Sequence, residues 1–185
     1  IIAFFRVVDR TNKEVMKGIL DSFKISGDDF WNYALRLHKL EMVDMYEDEV
    51  VRIYDQVLST YLFYLAFFKE KVLDFSDILA NYFPAYRSKI YDSLNPTLEA
   101  FNRQSIFDII RPKVQKLWDG FEESNSVELS FLLAEAFWHL FPERTLALVK
   151  KHFSQTSSNT PVNYSQLASL DDNRLNNVHV TTEIQ

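Results

Sequence analysis

The chain has 185 residues, enough for one domain of ordinary size or two small ones, and 47% of them are hydrophobic, so the chain can bury a core. Only three residues are glycine, which disfavours tight-turned all-β folds and favours helices joined by short loops. The formal net charge of −6 argues against a nucleic acid or an anionic membrane as the binding partner, and the lack of cysteine excludes disulfides and thiolate metal sites.

The beginning of the chain predicts three helices in succession. Residues 1–8 open with an apolar run and are expected to form a short helix. Asn12 predicts the N-cap of a helix over residues 13–23, in which apolar side chains recur at helical spacing. Ser26 predicts the N-cap of the third helix, whose apolar stripe extends to Leu40.

A β-hairpin is predicted after the third helix. Two β-prone runs, residues 42–46 and 50–54, flank the polar turn Glu47-Asp48-Glu49. The turn lacks an Asn-Gly pair, the usual marker of a tight hairpin. Residues 56–69 then return to a helical pattern, so the hairpin is the one convincing strand signal in the sequence.

The remaining chain predicts a row of helices and then a polar tail. Pro84 is expected to end one helix, Pro96 to follow the next, and Pro112 to kink or break a third helix. The predicted helices cover residues 75–83, 85–94, 103–122, 127–141 and 142–153. From Ser154 onward polar residues dominate, which is typical of a linker or tail, or of a segment that docks on this domain or on a partner.

These elements predict a mainly α protein with a winged-helix-like first half that contains one β-hairpin, followed by antiparallel helical hairpins. The predicted parts are a winged-helix-like domain at residues 1–70, a helical-hairpin domain at 71–153 and a polar tail or linker at 154–185. No apolar run approaches the roughly 20 residues needed to cross a bilayer. We therefore expect a cytoplasmic protein with no membrane partner.

No catalytic, cofactor or metal site can be assembled from the sequence. The three glycines are isolated, so the sequence lacks a glycine-rich phosphate-binding loop. The four histidines do not stand at the spacing of a helical zinc site, and His139 is expected to be a helix residue with a hydrogen-bonded ring. Glu47-Asp48-Glu49 lacks the alternating oxygen ligands of a calcium loop. We therefore expect neither an enzyme nor a bound cofactor or metal ion.

Residues 13–64 predict the order helix, helix, hairpin, helix, which is that of a winged helix-turn-helix. In a DNA-binding version the third helix enters the major groove and the hairpin tip meets backbone phosphates. Arg36, Lys39 and Arg52 are then the candidate nucleic-acid contacts. The acidic hairpin tip and the acidic start of the third helix oppose this role, because DNA binding depends on neutralising phosphates with lysine and arginine.

The same region resembles the winged-helix region of STAND-type signal-transduction ATPases, which are relatives of the AAA+ ATPases. The matching stretches are residues 25–30, 40–43 and 51–58, followed by Tyr61-Leu62. In that family the winged helix follows a nucleotide-binding core and precedes helical repeats, and the helices after Phe75 are similar to that arrangement. The resemblance implies a partner, namely an upstream ATPase domain or another protein.

The resemblance also singles out Tyr54 and Asp55. The family's winged helix often carries a Met-His-Asp triplet after the hairpin, whose histidine senses a bound diphosphate, and Ile53-Tyr54-Asp55 stands in that place. Tyr54 and Asp55 are thus candidates for nucleotide sensing or for an interdomain contact, with tyrosine in the place of the histidine. The alternative interpretation is that Asp55 simply caps the following helix.

We therefore interpret the sequence as a non-catalytic regulatory or scaffolding fragment of a larger ATPase-type signalling protein, acting through protein–protein or interdomain contacts. The alternative is a winged-helix DNA-binding transcriptional regulator with a helical dimerisation domain. The two differ in surface charge, since a basic face across Arg36, Lys39 and Arg52 would favour DNA.

Overall fold

The computed structural model describes the backbone of residues 1–156 and the side chains of residues 1–152. This part of the chain is mainly helical and contains a small three-stranded antiparallel sheet, which confirms the predicted fold class. The residues Ile1–Thr145 form one compact unit. A second unit begins at Leu146, and most of the predicted polar tail, residues 157–185, lies outside the described residues.

The sheet and its helices come first along the chain. The elements are α1 (Ile2–Phe5), β1 (Val7–Asp9), α2 (Lys13–Phe23), α3 (Gly27–Lys39), β2 (Asp44–Tyr46) and β3 (Val50–Arg52). The strand order is β1-β3-β2, with Val7 opposite Arg52 and Val8 opposite Val51. The prediction of one helix over residues 1–8 is therefore wrong beyond Phe5, because β-branched Val7 and Val8 pair with a strand distant in sequence.

The predicted hairpin is present, although each of its strands has three residues rather than five. Glu47 and Asp48 at its tip have positive φ angles of 50° and 54°, and the Glu49 N–H donates to the Tyr46 carbonyl at 2.9 Å. Positive φ at both central residues is the geometry of a type I′ turn, which matches the twist of the strands and normally favours Asn-Gly. Two acidic residues adopt it here.

Local capping chemistry places the ends of the first long helices where the sequence predicted them. The Asn12 side chain accepts from the Val15 N–H at 3.2 Å, at the start of α2. Ser26 Oγ accepts from the Asp29 N–H at 3.0 Å, at the start of α3. Each cap satisfies a backbone donor that has no partner within its own helix.

Within the described residues, six further helices follow, with two irregular segments between them. They are α4 (Gln56–Tyr64), a π-helical segment Leu65–Lys69, α5 (Phe75–Tyr82), α6 (Arg87–Ala100), α7 (Arg103–Glu123), α8 (Val127–Phe137), a 3₁₀ turn Trp138–Leu140 and α9 (Pro142–Thr156). The predicted helix 56–69 thus changes its winding at Leu65, and the predicted helix 127–141 ends at Phe137. Among the described residues, no helix has the length and apolar character that a membrane span requires.

In the part of the chain that the structure describes, two prolines lie inside helices rather than at their ends. Pro96 is within α6 and Pro112 is within α7, so the predicted end before Pro96 is wrong and α7 is not broken. A proline removes one helical N–H donor, which costs stability unless neighbouring contacts offset the loss. One turn after Ser93, Thr97 Oγ1 donates to the Ser93 carbonyl at 2.7 Å, and Thr97 is fully buried. Burial of α6 therefore outweighs the local preference of proline.

The core combines an aromatic cluster with a row of buried residues on α7. The Phe4 and Phe5 rings lie 5.8 and 5.1 Å from the Tyr82 ring of α5, so residues on both sides of position 70 share one core. The predicted domain boundaries stay predictions. The row on α7 occupies one helical face and is almost completely buried; it consists of Ile106, Ile110, Val114 and Trp118.

Candidate functional site

Tyr54 follows strand β3 and lies over the hairpin surface. Its hydroxyl lies 2.8 Å from the Tyr46 hydroxyl across the hairpin, and this hydrogen bond is the main cause of a raised pKa for Tyr46. The Arg52 guanidinium lies 3.8 Å from the centre of the Tyr54 ring, close enough for a cation–π contact. The Tyr54 side chain is nevertheless 52% exposed. Hairpin contacts thus hold Tyr54 and Arg52 together at the surface.

Asp55 is the N-cap of α4. Its Oδ1 accepts from the Leu58 N–H at 2.8 Å, and its backbone carbonyl accepts from the Ser59 N–H at 3.0 Å. This geometry is that of the capping interpretation, in which the carboxylate satisfies a donor of the first turn. The roles of Tyr54 and Asp55 in nucleotide sensing or interdomain contact stay predictions.

A polar cleft of about 550 Å³ opens beside Tyr54. One wall is the sheet end of the unit, with Arg6, Val7 and Arg52, and the opposite wall is α6. The lining from α6 and the residues around it includes charged, polar and ring-bearing side chains, namely Gln56, Lys89, Tyr91, Asp92, Ser93, Asn95 and Pro96. We call this the polar cleft.

The three cations of the polar cleft have neutral partners. Arg6 Nη2 donates to the Gln56 side-chain oxygen at 3.0 Å, and Lys89 Nζ donates to the Phe5 carbonyl at 3.1 Å. Arg52 stacks on Tyr54. Within the described part of the chain, none of the recorded ion pairs uses any of these three side chains. The cleft therefore holds positive charge that no carboxylate of the described residues neutralises by direct contact.

Arg6 is held in an uncommon backbone conformation. Its φ and ψ angles are 66° and −40°, in a region that side chains other than glycine rarely adopt. The Arg6 N–H donates to the Ile2 carbonyl at 2.8 Å and its carbonyl accepts from the Ile53 N–H at 3.0 Å, so both neighbouring elements fix it. Burial lowers the pKa of its guanidinium, and the nearby Asp92 carboxylate partly offsets this. Backbone strain of this kind often marks a functional position.

The structure brings only one of the predicted nucleic-acid contacts into the polar cleft. Arg52 lines it, whereas Arg36 and Lys39 are exposed in the last turn of α3 and do not. Acidic residues occupy the other positions that DNA would approach: the hairpin tip, and the first turn of α3 with Asp28 and Asp29. The Asp29 carboxylate also accepts from Ser26 Oγ at 2.7 Å.

An apolar groove of about 400 Å³ is a second cavity of the same unit. It is lined by α1, by α3 and by the π-helical segment, together with Ile1. At its rim the Tyr33 and Val72 side chains are 55% and 72% exposed. We call this the apolar groove.

Metal-binding chemistry is not assembled in the described residues, where no group of three histidine or acidic side chains could hold an ion. His139 packs its ring 5.4 Å from the Phe107 ring, and burial lowers its pKa, with a smaller effect from Arg103. Its Nε2 is buried and has no hydrogen-bond partner within the described residues, so the prediction of a hydrogen-bonded ring is not met at this atom.

Sequence reasoning missed Arg6 and Lys89 as site residues. The sequence pattern places Arg6 inside a predicted helix, and Lys89 contacts Phe5 across 84 positions of sequence. A cleft made from elements so far apart has no local pattern, so only the tertiary structure brings these cations together. The one local hint was Arg52, next to the singled-out Tyr54.

Comparisons with known proteins add no identification. No family model matches the chain, and neither a curated protein nor a solved structure does.

Proposed function

We propose that this chain is a non-catalytic regulatory or scaffolding module that acts through protein contacts, as part of an ATPase-type signalling protein. The observation that carries the proposal is the apolar groove, since exposed apolar surface around a cavity is typical of a site for another protein. Tyr33 and Val72 would lose most of their exposed apolar area if a partner covered the rim.

The apolar groove can serve an interdomain contact, in which an ATPase domain of the same gene product covers Tyr33 and Val72 at the rim. A linked domain needs little intrinsic affinity, because the connection gives it a high effective concentration. The order strand, helix, helix, hairpin further supports a winged-helix module of the kind that the resemblance implies.

DNA binding is the weaker alternative. It would need the tip of the hairpin to meet phosphates, and this tip carries Glu47, Asp48 and Glu49. Arg36 and Lys39 lie at the opposite end of α3 from its acidic first turn. The charges at the tip and at the start of α3 therefore favour a protein partner.

The first test uses the full-length gene product. We expect its sequence ahead of Ile1 to contain a glycine-rich phosphate loop and an acidic metal-binding strand, and we expect the full-length protein to hydrolyse ATP. The 185-residue chain by itself should show neither saturable ATP binding in calorimetry nor hydrolysis. A gene product without those motifs, or ATP hydrolysis by this chain alone, would overturn the proposal.

The second part of the test uses a matched pair of variants in that protein. Val72→Lys places a charge at the rim of the apolar groove, and Val57→Lys does so at a residue that is 78% exposed and outside the groove. Val72→Lys should change the ATPase rate by about fivefold or more, the lower end of typical coupling between sites. Equal rates for the two variants would exclude the groove as the interdomain contact.

A further inference from the structure

We propose that the polar cleft between the sheet and α6 binds an acidic, extended segment of a partner protein. This inference goes beyond the proposed function, which rests on the apolar groove, and it concerns a different surface. Its basis is the charge, the side-chain composition and the position of the polar cleft.

The charge of the cleft is opposite to that of the chain. The protein has a formal net charge of −6, yet Arg6, Arg52 and Lys89 line this cleft with Asp92 as the one acidic residue among its lining. All three cations are bonded to neutral groups. An incoming carboxylate can therefore form charge-assisted hydrogen bonds with them and displaces no existing ion pair.

The side chains around these cations are those that dominate protein–protein interfaces. Tyr54 and Tyr91 are 52% and 48% exposed, and Val7 is 45% exposed. Tyrosine and arginine are enriched among the residues that contribute most to binding energy, because they combine apolar area with hydrogen-bonding groups. Arg52 is already ordered by its stacking on Tyr54, so binding would cost it less conformational entropy.

A peptide fits the cleft better than a nucleic acid or free phosphate does. Asp92 would repel a polyanion that offers only phosphate oxygens. A peptide also carries backbone N–H groups, which can donate hydrogen bonds to the Asp92 carboxylate. The acidic tip of the hairpin that carries Arg52 would likewise repel a long duplex. Alternating carboxylates on a peptide can reach the cations and place other groups beside Asp92.

The fold also provides a direction for an extended segment. Val7 lines the cleft and belongs to β1, which lies at the edge of the sheet next to β3. Extended peptides commonly bind by running beside an edge strand, with alternate side chains entering pockets. A segment beside β1 would contact the exposed Val7 side chain, which lines the cleft.

The experiment measures fluorescence anisotropy of a labelled peptide in which glutamate alternates with threonine, added to the 185-residue chain. The same peptide with glutamine for glutamate is the ligand control. Arg52→Gln and Lys89→Gln should each weaken binding of the acidic peptide by about tenfold, the effect of losing one charge-assisted hydrogen bond. Lys39→Gln removes an exposed cation outside the cleft and should weaken binding by less than about twofold.

Saturable binding of the acidic peptide alone, weakened by salt and by the two cleft variants, is the expected result. Three results would overturn the proposal: no saturable binding, equal binding of the glutamine peptide, or the same loss with Lys39→Gln. Tighter binding of random duplex DNA to the same cations would also overturn it. This assay measures peptide binding to the 185-residue chain and does not use ATPase activity, so its result is independent of the Val72→Lys test.

Discussion

The polar cleft and the surroundings of α7 use positive charge in opposite ways. Lys113 Nζ on α7 pairs with Asp74 Oδ1 at 2.7 Å and so joins α7 to the start of α5. In the polar cleft, by contrast, Lys89 Nζ donates to the backbone carbonyl of Phe5. Lys113 thus holds two helices together, whereas Lys89, which is bonded to a neutral group, remains able to bind an acidic ligand.

Arg144 extends the same contrast. It pairs with Asp119 and Glu122 of α7 at 2.7 Å each, and its guanidinium lies 4.9 Å from the centre of the Trp118 ring. Arg6 in the polar cleft instead bonds to the neutral Gln56 amide. Arg144 thus stabilises the packing against α7, whereas Arg6 has a neutral partner and can still donate to an acidic ligand.

The largest expected effect that tests this contrast is on Trp118. This side chain is completely buried, so Trp118→Ala leaves a large cavity and should lower the free energy of unfolding by about 3–5 kcal/mol. Arg52→Gln in the exposed cleft should change it by less than about 0.5 kcal/mol. Urea denaturation of both variants against the parent measures the difference. A comparable loss for Arg52→Gln would mean that the cleft cations are structural after all.

The next effect concerns Asp55, which follows Tyr54 in the sequence and caps α4. Asp55→Ala removes the acceptor of the Leu58 N–H and should cost about 1 kcal/mol of stability. Asp55→Asn should cost much less, because the amide oxygen can cap as well. Chemical denaturation midpoints of the three proteins decide the matter. Identical midpoints would remove the cap and leave the interdomain role as the explanation of this residue.

Helix caps could be predicted because they depend on neighbours in sequence. Asn12, Ser26 and Asp55 each bond to an N–H three residues ahead, so a polar residue followed by an apolar period is a sufficient signal. The hairpin was also predictable, since its strands are adjacent. Strand β1 was not, because Val7 and Val8 are strand residues only when β3 lies beside them.

The polar cleft could not be predicted either, because its residues are brought together from three elements that are distant in sequence. Its cations come from the end of α1, from β3 and from α6, and the helix that supplies Lys89 runs through Pro96, where a break was expected. Local propensity gives the wrong end for that helix, since the burial of Thr97 and Leu98 outweighs the loss of one donor. Charge at a tertiary contact is therefore visible only after the packing is known.

The smallest effect tests the paired side of the contrast, at Asp74. The hydrogen bond from Lys113 is the main cause that lowers the pKa of the Asp74 carboxyl from 3.8 to about 2, followed by the Ser76 N–H bond. Asp74→Asn keeps an oxygen for the Ser76 N–H, at 2.7 Å in the parent, but removes the ion pair. Because the Asp74 side chain is 53% exposed, solvent screens the pair and the loss should be only about 0.2–1 kcal/mol.

The pH dependence gives this prediction its sign. A folded-state pKa below the unfolded value means that the unfolded chain binds more protons, so the contribution of Asp74 is fully present above about pH 4 and is lost as the pH falls toward 2. The gap in unfolding free energy between the parent and Asp74→Asn should therefore be constant from neutral pH down to about 4 and then shrink.

Asp77→Asn is the matched control, because it removes a carboxylate from the same first turn of α5 without an ion pair. In a double-mutant cycle with Lys113→Gln, Asp74→Asn should show a coupling energy and Asp77→Asn should not. Equal coupling of both acids to Lys113, or a gap in unfolding free energy that widens in acid, would contradict the prediction. Lys113 would then act through the overall electrostatic potential at the start of α5 and not through a specific ion pair with Asp74.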